Sequence, residues 1–421
     1  AQAQAVQLFF EELPLQMAGM RLVPAVLRLL LAASPLLSRG RADSVAAGPP
    51  DFHCDNQPEG AFEPVLIRNR AHTLEATFIP YGGTLTHLIY GGGGGVDVVL
   101  GWDDPRQYCV SAQHSYFGAT IGRVANRIAN GSFVFNGQTY HTPLNEKGAD
   151  TLHGGWFGFD RQVFRVVERS EDSVTFEYHS PEGEMGFPGA LTARITHTIT
   201  DSNEWQLRYS ASADRDTVVA LSMHPYFNLN GNVNNTATVL EHVVSVPAGG
   251  RFVDVDKDLI ATGRVRSVAD APALDFRKPK QLGRDIDEGT ATPLGGYDNA
   301  LVLDGWKPGI RPEDSPIAIT VTTPITGIGM RVRTDQPSLQ IYSGNMLNGT
   351  DPSQRVPRKR SQSFGPIPQY YQWRGTLVIE AQHYPGSVNH PQFPSVVLRK
   401  GQEYSQFTSY QLFDASEAII V

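Results

Sequence analysis

Four stretches of the chain set polar side chains inside apolar, strand-like runs, and those polar residues are where chemistry could sit. The first, Ile121 to Ile128, carries Arg123, Asn126 and Arg127; the second, Thr151 to Gly155, carries His153. The third, Leu221 to Leu229, carries His224 followed by Pro225, Tyr226 and Asn228. The fourth, Leu377 to Gln382, carries Glu380 and is closed by Tyr384-Pro385. Glu380 follows the apolar or β-branched positions Thr376 to Ile379, so its carboxyl should be partly buried. Burial disfavours the charged form and lifts a carboxyl towards the proton affinity that a general base needs at neutral pH. The same position would serve a structural ion pair with an arginine equally well. His153 and His224 read either as proton carriers or as satisfied core histidines. Asp298, in Gly295-Gly296-Tyr297-Asp298-Asn299, reads as a turn residue or a ligand, and Asn126 and Arg127 as a polar strand face or as hydrogen-bonding groups. The residues alone thus supply an acid candidate, a base candidate and donors suited to a polyhydroxylated ligand. No His-x-x-x-His, paired-cysteine or Gly-x-Ser-x-Gly pattern accompanies them, so no metal site and no serine nucleophile is expected.

These residues must be positioned by strands. Leu191, Ala193, Ile195, His197 and Ile199 alternate with Thr192, Arg194, Thr196 and Thr198, and Trp205-Leu207-Tyr209 and Ile317-Ile319-Val321 repeat the period of two. Phe133-Val134-Phe135, Asn136-Gly137 and Gln138-Thr139-Tyr140 spell a hairpin, since Asn-Gly supplies the two positive φ values of a type I′ turn. No sustained helical period appears after residue 50. Among 421 residues, Gly 41 and Pro 29 punctuate many short strands, which predicts an all-β fold, a large antiparallel β-sandwich, in a single domain over 61–421. The net charge of −8 leaves no basic field for nucleic acid or anionic lipid, and two cysteines exclude a disulfide-dense scaffold. Gly91 to Gly95 reads as a loop between strands, because no Lys-Ser/Thr and no helix follow as a phosphate cradle requires. Asp351 to Arg374, with Arg355, Arg358, Lys359 and Arg360, reads as a surface loop rather than a nucleic-acid patch.

Residues 1–19 form an unexplained upstream segment, excluded from the fold. Residues 20–42 pair Arg21 with a mostly apolar stretch and the small-x-small site Gly40-Arg41-Ala42, the pattern of a secretory signal peptide; 43–60 is a linker. The expectation is a secreted, extracellular protein with no membrane association after signal removal, or a cytoplasmic one if that segment does not work as a signal. Arg28, Pro24 and Pro35 argue against a membrane span. Sequons at Asn130, Asn234 and Asn348 are compatible with secretion, and Cys54 and Cys109 could pair in an oxidising compartment.

A series of segments, in order, resembles the aldose 1-epimerase (galactose mutarotase) family. It runs through Tyr81-Gly82-Gly83, Asp97-Val98-Val99-Leu100-Gly101, Tyr116 to Ile128, Leu152-His153-Gly154-Gly155 and His224 to Leu229. It continues with Ile341 to Asn345, Glu380 to Pro385 and Asn389 to Pro394, and spans most of 61–421. The resemblance implies a sandwich of the galactose mutarotase type with the sugar in an open cleft, interconverting the α and β anomers of free aldohexoses such as galactose and glucose, with no cofactor. It implies Glu380 as general base, His224 as general acid and His153 as a second active-site histidine. It also implies Arg127, Asp298 and Gln340 as sugar-hydroxyl ligands, with Asn126 and Tyr226 as neighbours. Two departures stand out: Pro225 follows the acid histidine where the family has a small polar residue, and 355–374 is longer and more basic than its family counterpart, so it could reshape a cleft rim.

Other readings are a carbohydrate-binding protein on the same fold, which could lose the acid or base, and a glycoside hydrolase, for which Asp298 and Glu380 are the only carboxylate pair to nominate. The absence of a strand-borne Gly-x-Gly-x-x-Gly excludes a fused nucleotide-sugar epimerase domain.

Overall fold

Alternating burial decides the architecture. In a computed structural model that describes residues 54–416 apart from 93, 112–115, 232–237, 289–294, 352–354 and 364–368, Leu191–Ile199 buries every second side chain against the core. The expected upstream segment, the signal region and the sequon at Asn234 lie outside the described residues.

Nine strands form the larger sheet, in the order Arg165–Arg169, Ser173–Ser180, Leu191–Ile199, Glu204–Ala213, Tyr404–Asp414, Ile328–Thr334, Ile317–Thr322, Val243–Ser245 and Lys280–Gln281. A six-stranded sheet runs Tyr226–Phe227, Leu377–Gln382, Ser338–Tyr342, Asp298–Val302, Arg251–Val255 and Ala261–Ser267. The ladders within both sheets are antiparallel. Trp205, Leu207 and Tyr410 of the first share one core with Phe227, Leu301, Leu339, Ile341, Leu377 and Ile379 of the second. Face-to-face packing of two sheets over such a core is a β-sandwich, and the protein is a single all-β domain. A four-stranded meander from Val65 to Asp97 adds Leu74, Phe78, Leu85 and Leu88 to the same core. The only α-helix among the described residues is Gln107–Val110.

Asn136 and Gly137 both take positive φ, 49° and 76°, between Ser132–Phe135 and Gln138–His141, which is the type I′ geometry their dipeptide demands. Gly91 to Gly95 joins two paired strands. Strict alternation fails at Ile317-Ala318-Ile319, where a bulge turns Ala318 and Ile319 both inward. The expected linker also changes character at its end, because Cys54 is disulfide-bonded to Cys109 and ties residues 54–56 to the helix that carries it.

The basic stretch Asp351 to Arg374 is not a plain surface loop. Lys359 is fully buried, its Nζ 2.7 Å from Asp97 Oδ2 and donating to Thr86 O at 2.7 Å. Ser361 Oγ donates to the same carboxylate, and Tyr371 OH donates to Gln362 Oε1. Arg360 keeps the expected exposure, while Arg358 and Arg374 are buried. A lysine inside the fold is tolerated because a carboxylate and a carbonyl meet its ammonium.

Candidate functional site

From Tyr226–Phe227 to Asp298–Val302 the six-stranded sheet is buried on both faces, and those two faces differ in chemistry. In Leu377–Gln382 every residue is buried; Leu377, Ile379 and Ala381 enter the common core. Val378, Glu380 and Gln382 therefore point the other way. Directly opposed residues of an antiparallel pair share a face, so the pairings Gln340 with Glu380, Tyr342 with Val378, Asp298 with Tyr342 and Tyr226 with Val378 gather one polar surface. Glu380, Gln340, Asp298, Tyr342 and Tyr226 are neighbours for that reason.

Short ladders deliver the remaining groups. Arg127–Ile128 pairs with Thr151–Leu152, which sets Arg127 beside Leu152 and brings His153 next to Asn126. Ser222–Met223 pairs with Thr120–Ile121, and His224 continues that edge by donating its N–H to Ala119 O and accepting from Gly118 N. Pro225, lacking an N–H, falls between these bonds and the Tyr226–Val378 pair, so it removes no bond from the ladder. Gly154, at φ 92°, cannot carry a side chain: a Cβ there would lie 2.2 Å from Gly122 O. Gly296, at φ 83°, would put a Cβ 2.0 Å from Asn345 Oδ1, so the turn that presents Asp298 needs glycine.

His224 Nε2 stands 3.5 Å from Glu380 Oε1, with both side chains almost wholly buried. That separation exceeds the ~2.7–2.9 Å of a tight charge-assisted hydrogen bond, so neither group's capacity is used up by the other. Glu380 Oε2 is buried with no hydrogen-bond partner among the described residues. Burial raises Glu380 well above the usual carboxylate range, Asp298 adds to the rise, and Arg127 opposes it. Asp298 is raised by its own burial and lowered by Arg127 and by Gln340, whose Nε2 donates to Asp298 Oδ1 at 2.6 Å. Gln340 Oε1 and Arg127 Nε are buried with no partner among the described residues. Buried polar atoms are normally satisfied, so these three orphaned atoms mark a surface built to receive polar groups.

The two histidines differ in what their rings do. His153 Nδ1 accepts the backbone N–H of Asn126 at 3.1 Å, and His153 N–H donates to Asn126 O in return. A ring nitrogen that accepts carries no proton, so His153 is the neutral tautomer with its hydrogen on Nε2. The His153 and His224 rings meet edge-on at 5.4 Å. Tyr116, at 4.7 Å from His153 and 5.9 Å from His224, and Tyr342, at 6.4 Å from His224, complete an aromatic wall with Tyr226. One ligand atom each of His153, His224 and Glu380 falls within 4.8 Å of the others, the only such trio of potential metal ligands among the described residues.

All the residues expected from sequence, Glu380, His224, His153, Arg127, Asn126, Asp298, Gln340 and Tyr226, thus meet in one region. Asn126 does so mainly through its backbone, since its side-chain Oδ1 accepts Arg127 N–H at 2.9 Å. Tyr342 and Glu146, which forms an ion pair with Arg127 at 3.5 Å, were not anticipated. Tyr342 could have been found by counting two positions on from Gln340 along one strand face.

A sequence profile of the family described as aldose 1-epimerase matches residues 64–411. Galactose mutarotase of Sus scrofa is 34% identical over 355 residues, covering 83% of this chain and 94% of that protein. Aldose 1-epimerase of Escherichia coli is 33% identical over 362 residues, covering 85% and 96%. The crystal structure of a GalM/aldose epimerase homologue from C. elegans superposes with a TM-score of 0.71 at 31% identity, covering 83% of this chain and 98% of that one. The chain belongs to the aldose 1-epimerase family and is an enzyme of that activity.

Proposed function

We propose that the protein interconverts the α and β anomers of free aldohexoses, galactose and glucose among them, by acid–base opening and reclosure of the sugar ring. The observation that carries this reading is the Glu380–His224 pair, 3.5 Å apart on a buried, polar sheet face with Glu380 Oε2 unpartnered. Glu380 removes the proton of the C1 hydroxyl while His224 donates one to the ring oxygen. The C1–O5 bond breaks to give the aldehyde; rotation about C1–C2 presents its other face; the two groups reverse roles and the ring closes. His153, neutral and protonated on Nε2, is a hydrogen-bond donor, which leaves the transferable proton to His224. Arg127 and Gln340 take sugar hydroxyls through their orphaned Nε and Oε1, and Asp298 takes one through its carboxylate beside them. Each positioned proton transfer typically contributes ~10²–10⁴-fold.

Polarimetry of freshly dissolved α-D-galactose and α-D-glucose tests this. The protein should speed decay to the unchanged final rotation, a chelator should leave that rate as it was, and Glu380→Gln or His224→Ala should abolish it. A folded protein that accelerates neither sugar overturns the reading. We further infer passage through an oxidising, secretory compartment, supported by the Cys54–Cys109 disulfide. Retention of the full chain inside an expressing eukaryotic cell, with free thiols, would refute it.

A further inference from the structure

Among the described residues Arg127 is the only cation among the groups that shift Glu380, and it reaches this region from a ladder whose partner strand follows a tight turn. That turn holds Glu146. Its backbone N–H donates to Asp150 O at 3.0 Å, and Glu146 O accepts from Ala149 and Asp150. The preceding Asn145 clamps Leu152 from both sides, accepting Leu152 N–H at 2.8 Å and donating to Leu152 O at 3.0 Å. The carboxylate of Glu146 is therefore carried by fixed backbone. Its Oε1 lies 3.5 Å from Arg127 Nη2, with the two side chains only 22% and 11% exposed. That ion pair sets Glu146 beside the same polar surface, with part of its side chain still open to solvent.

A guanidinium is a rigid planar fork, so fixing one end aims the other. With Nη2 held by Glu146, Arg127 Nε remains buried and unpartnered among the described residues. We propose that Glu146 is a positioning residue for sugar binding: it anchors Nη2 of the Arg127 guanidinium so that the adjacent Nε–H is presented, pre-aimed, to a hydroxyl of the aldose. This rests on the mutarotase reading and adds to it a residue outside the reacting pair. Pre-aiming spares the long arginine side chain its loss of rotamer freedom on binding, so the benefit belongs to ground-state and transition-state binding alike.

The test compares the full protein with Glu146→Gln, Glu146→Ala, Arg127→Ala and the Glu146→Ala/Arg127→Ala double variant. Initial mutarotation rates give KM and kcat for α-D-galactose, calorimetric titration gives sugar affinity, and thermal unfolding reports integrity. Glu146→Ala should raise KM and weaken sugar affinity about tenfold, the equivalent of about 1.4 kcal/mol, with kcat unchanged within about twofold. Glu146→Gln should fall between it and the unaltered protein. The double variant should bind no more weakly than Arg127→Ala, because an anchor has nothing left to aim. Unchanged KM and affinity in Glu146→Ala, or additive losses in the double variant, overturn the proposal. If the unaltered protein does not accelerate mutarotation, the function itself fails, and the affinity series still decides the role of Glu146. If Glu146→Ala unfolds, Glu146→Gln, which preserves the shape, carries the comparison.

Discussion

A single carboxyl group concentrates the conflict between stability and activity in this protein. Glu380 is buried with one oxygen unpartnered among the described residues, and its folded-state proton affinity lies well above that of an exposed carboxylate. A raised carboxyl binds its proton more tightly in the folded than in the unfolded chain, so stability is greatest below its unfolded value and falls as pH rises through the raised one. Glu380→Gln, neutral at every pH, should therefore raise Tm at neutral pH by about 2–4 °C while removing turnover, and the gain should vanish at acid pH. Differential scanning calorimetry at two pH values checks this, and a lower Tm at neutral pH would refute it. With Glu380 as the proposed base, the same elevation sets the acid limb of activity: that base must be ionised, so the rate should fall at a pH above the ordinary carboxylate range. At this scale the sequence was informative about residue types and silent about roles. An acid embedded in Thr376 to Ile379 announced burial. Nothing local separates His153 from His224, because the distinction lies in the Asn126 backbone N–H, 27 positions from His153, that occupies one ring nitrogen.

Strands explain which further residues escaped notice. Period-two patterning identifies a strand with one wet face, as in Leu191–Ile199, but Leu377–Gln382 is buried throughout and its polar face is polar for chemistry rather than for solvent. Only cross-strand register reveals that Tyr342 lies beside Gln340 on that surface. The stretch Asp351 to Arg374 misled for the converse reason: its composition suggests solvent, yet Lys359 is held by Asp97, a strand residue far away in sequence. Removing one member of a buried pair strands the other charge, so Lys359→Ala should cost about 3–5 kcal/mol in chemical denaturation. The double variant Lys359→Met/Asp97→Leu should lose less than Lys359→Ala alone, although Asp97 also accepts from Ser361 Oγ. Activity per folded molecule should survive Lys359→Ala, since the pair lies outside the proposed catalytic groups; a specific loss of kcat would show otherwise.

The whole molecule carries an acid sensitivity that no single strand announces. His197 lies fully buried, stacked on Phe78 and accepting from Trp205 Nε1, and burial pushes it down to about 3. His242, which accepts Leu229 N–H at 3.1 Å, is likewise pushed down to about 3 by burial. A histidine kept neutral in the fold but free to charge when unfolded contributes stability that is intact above about pH 6.5 and drains away as pH falls towards 3. Each of the two should cost about 2 kcal/mol at pH 5. Denaturant titrations between pH 7 and 5 should show stability falling on acidification, and His197→Gln should flatten that slope; a pH-independent stability in that range would contradict the assignment. The sandwich itself was legible from alternation and turns, because those are local signals, whereas the packing that neutralises these histidines is not.

Arg127, His153, His224, Asp298, Gln340 and Glu380 reach one surface from separate stretches of the chain, through ladders that exist only when both sheets and the short flanking pairs are in place. On the roles proposed for these residues, a fragment that lacks either sheet should not turn over sugar. The rotation of polarised light by a dissolving sugar thereby becomes a census of fully assembled molecules, read without a dye, a label or a change to the protein.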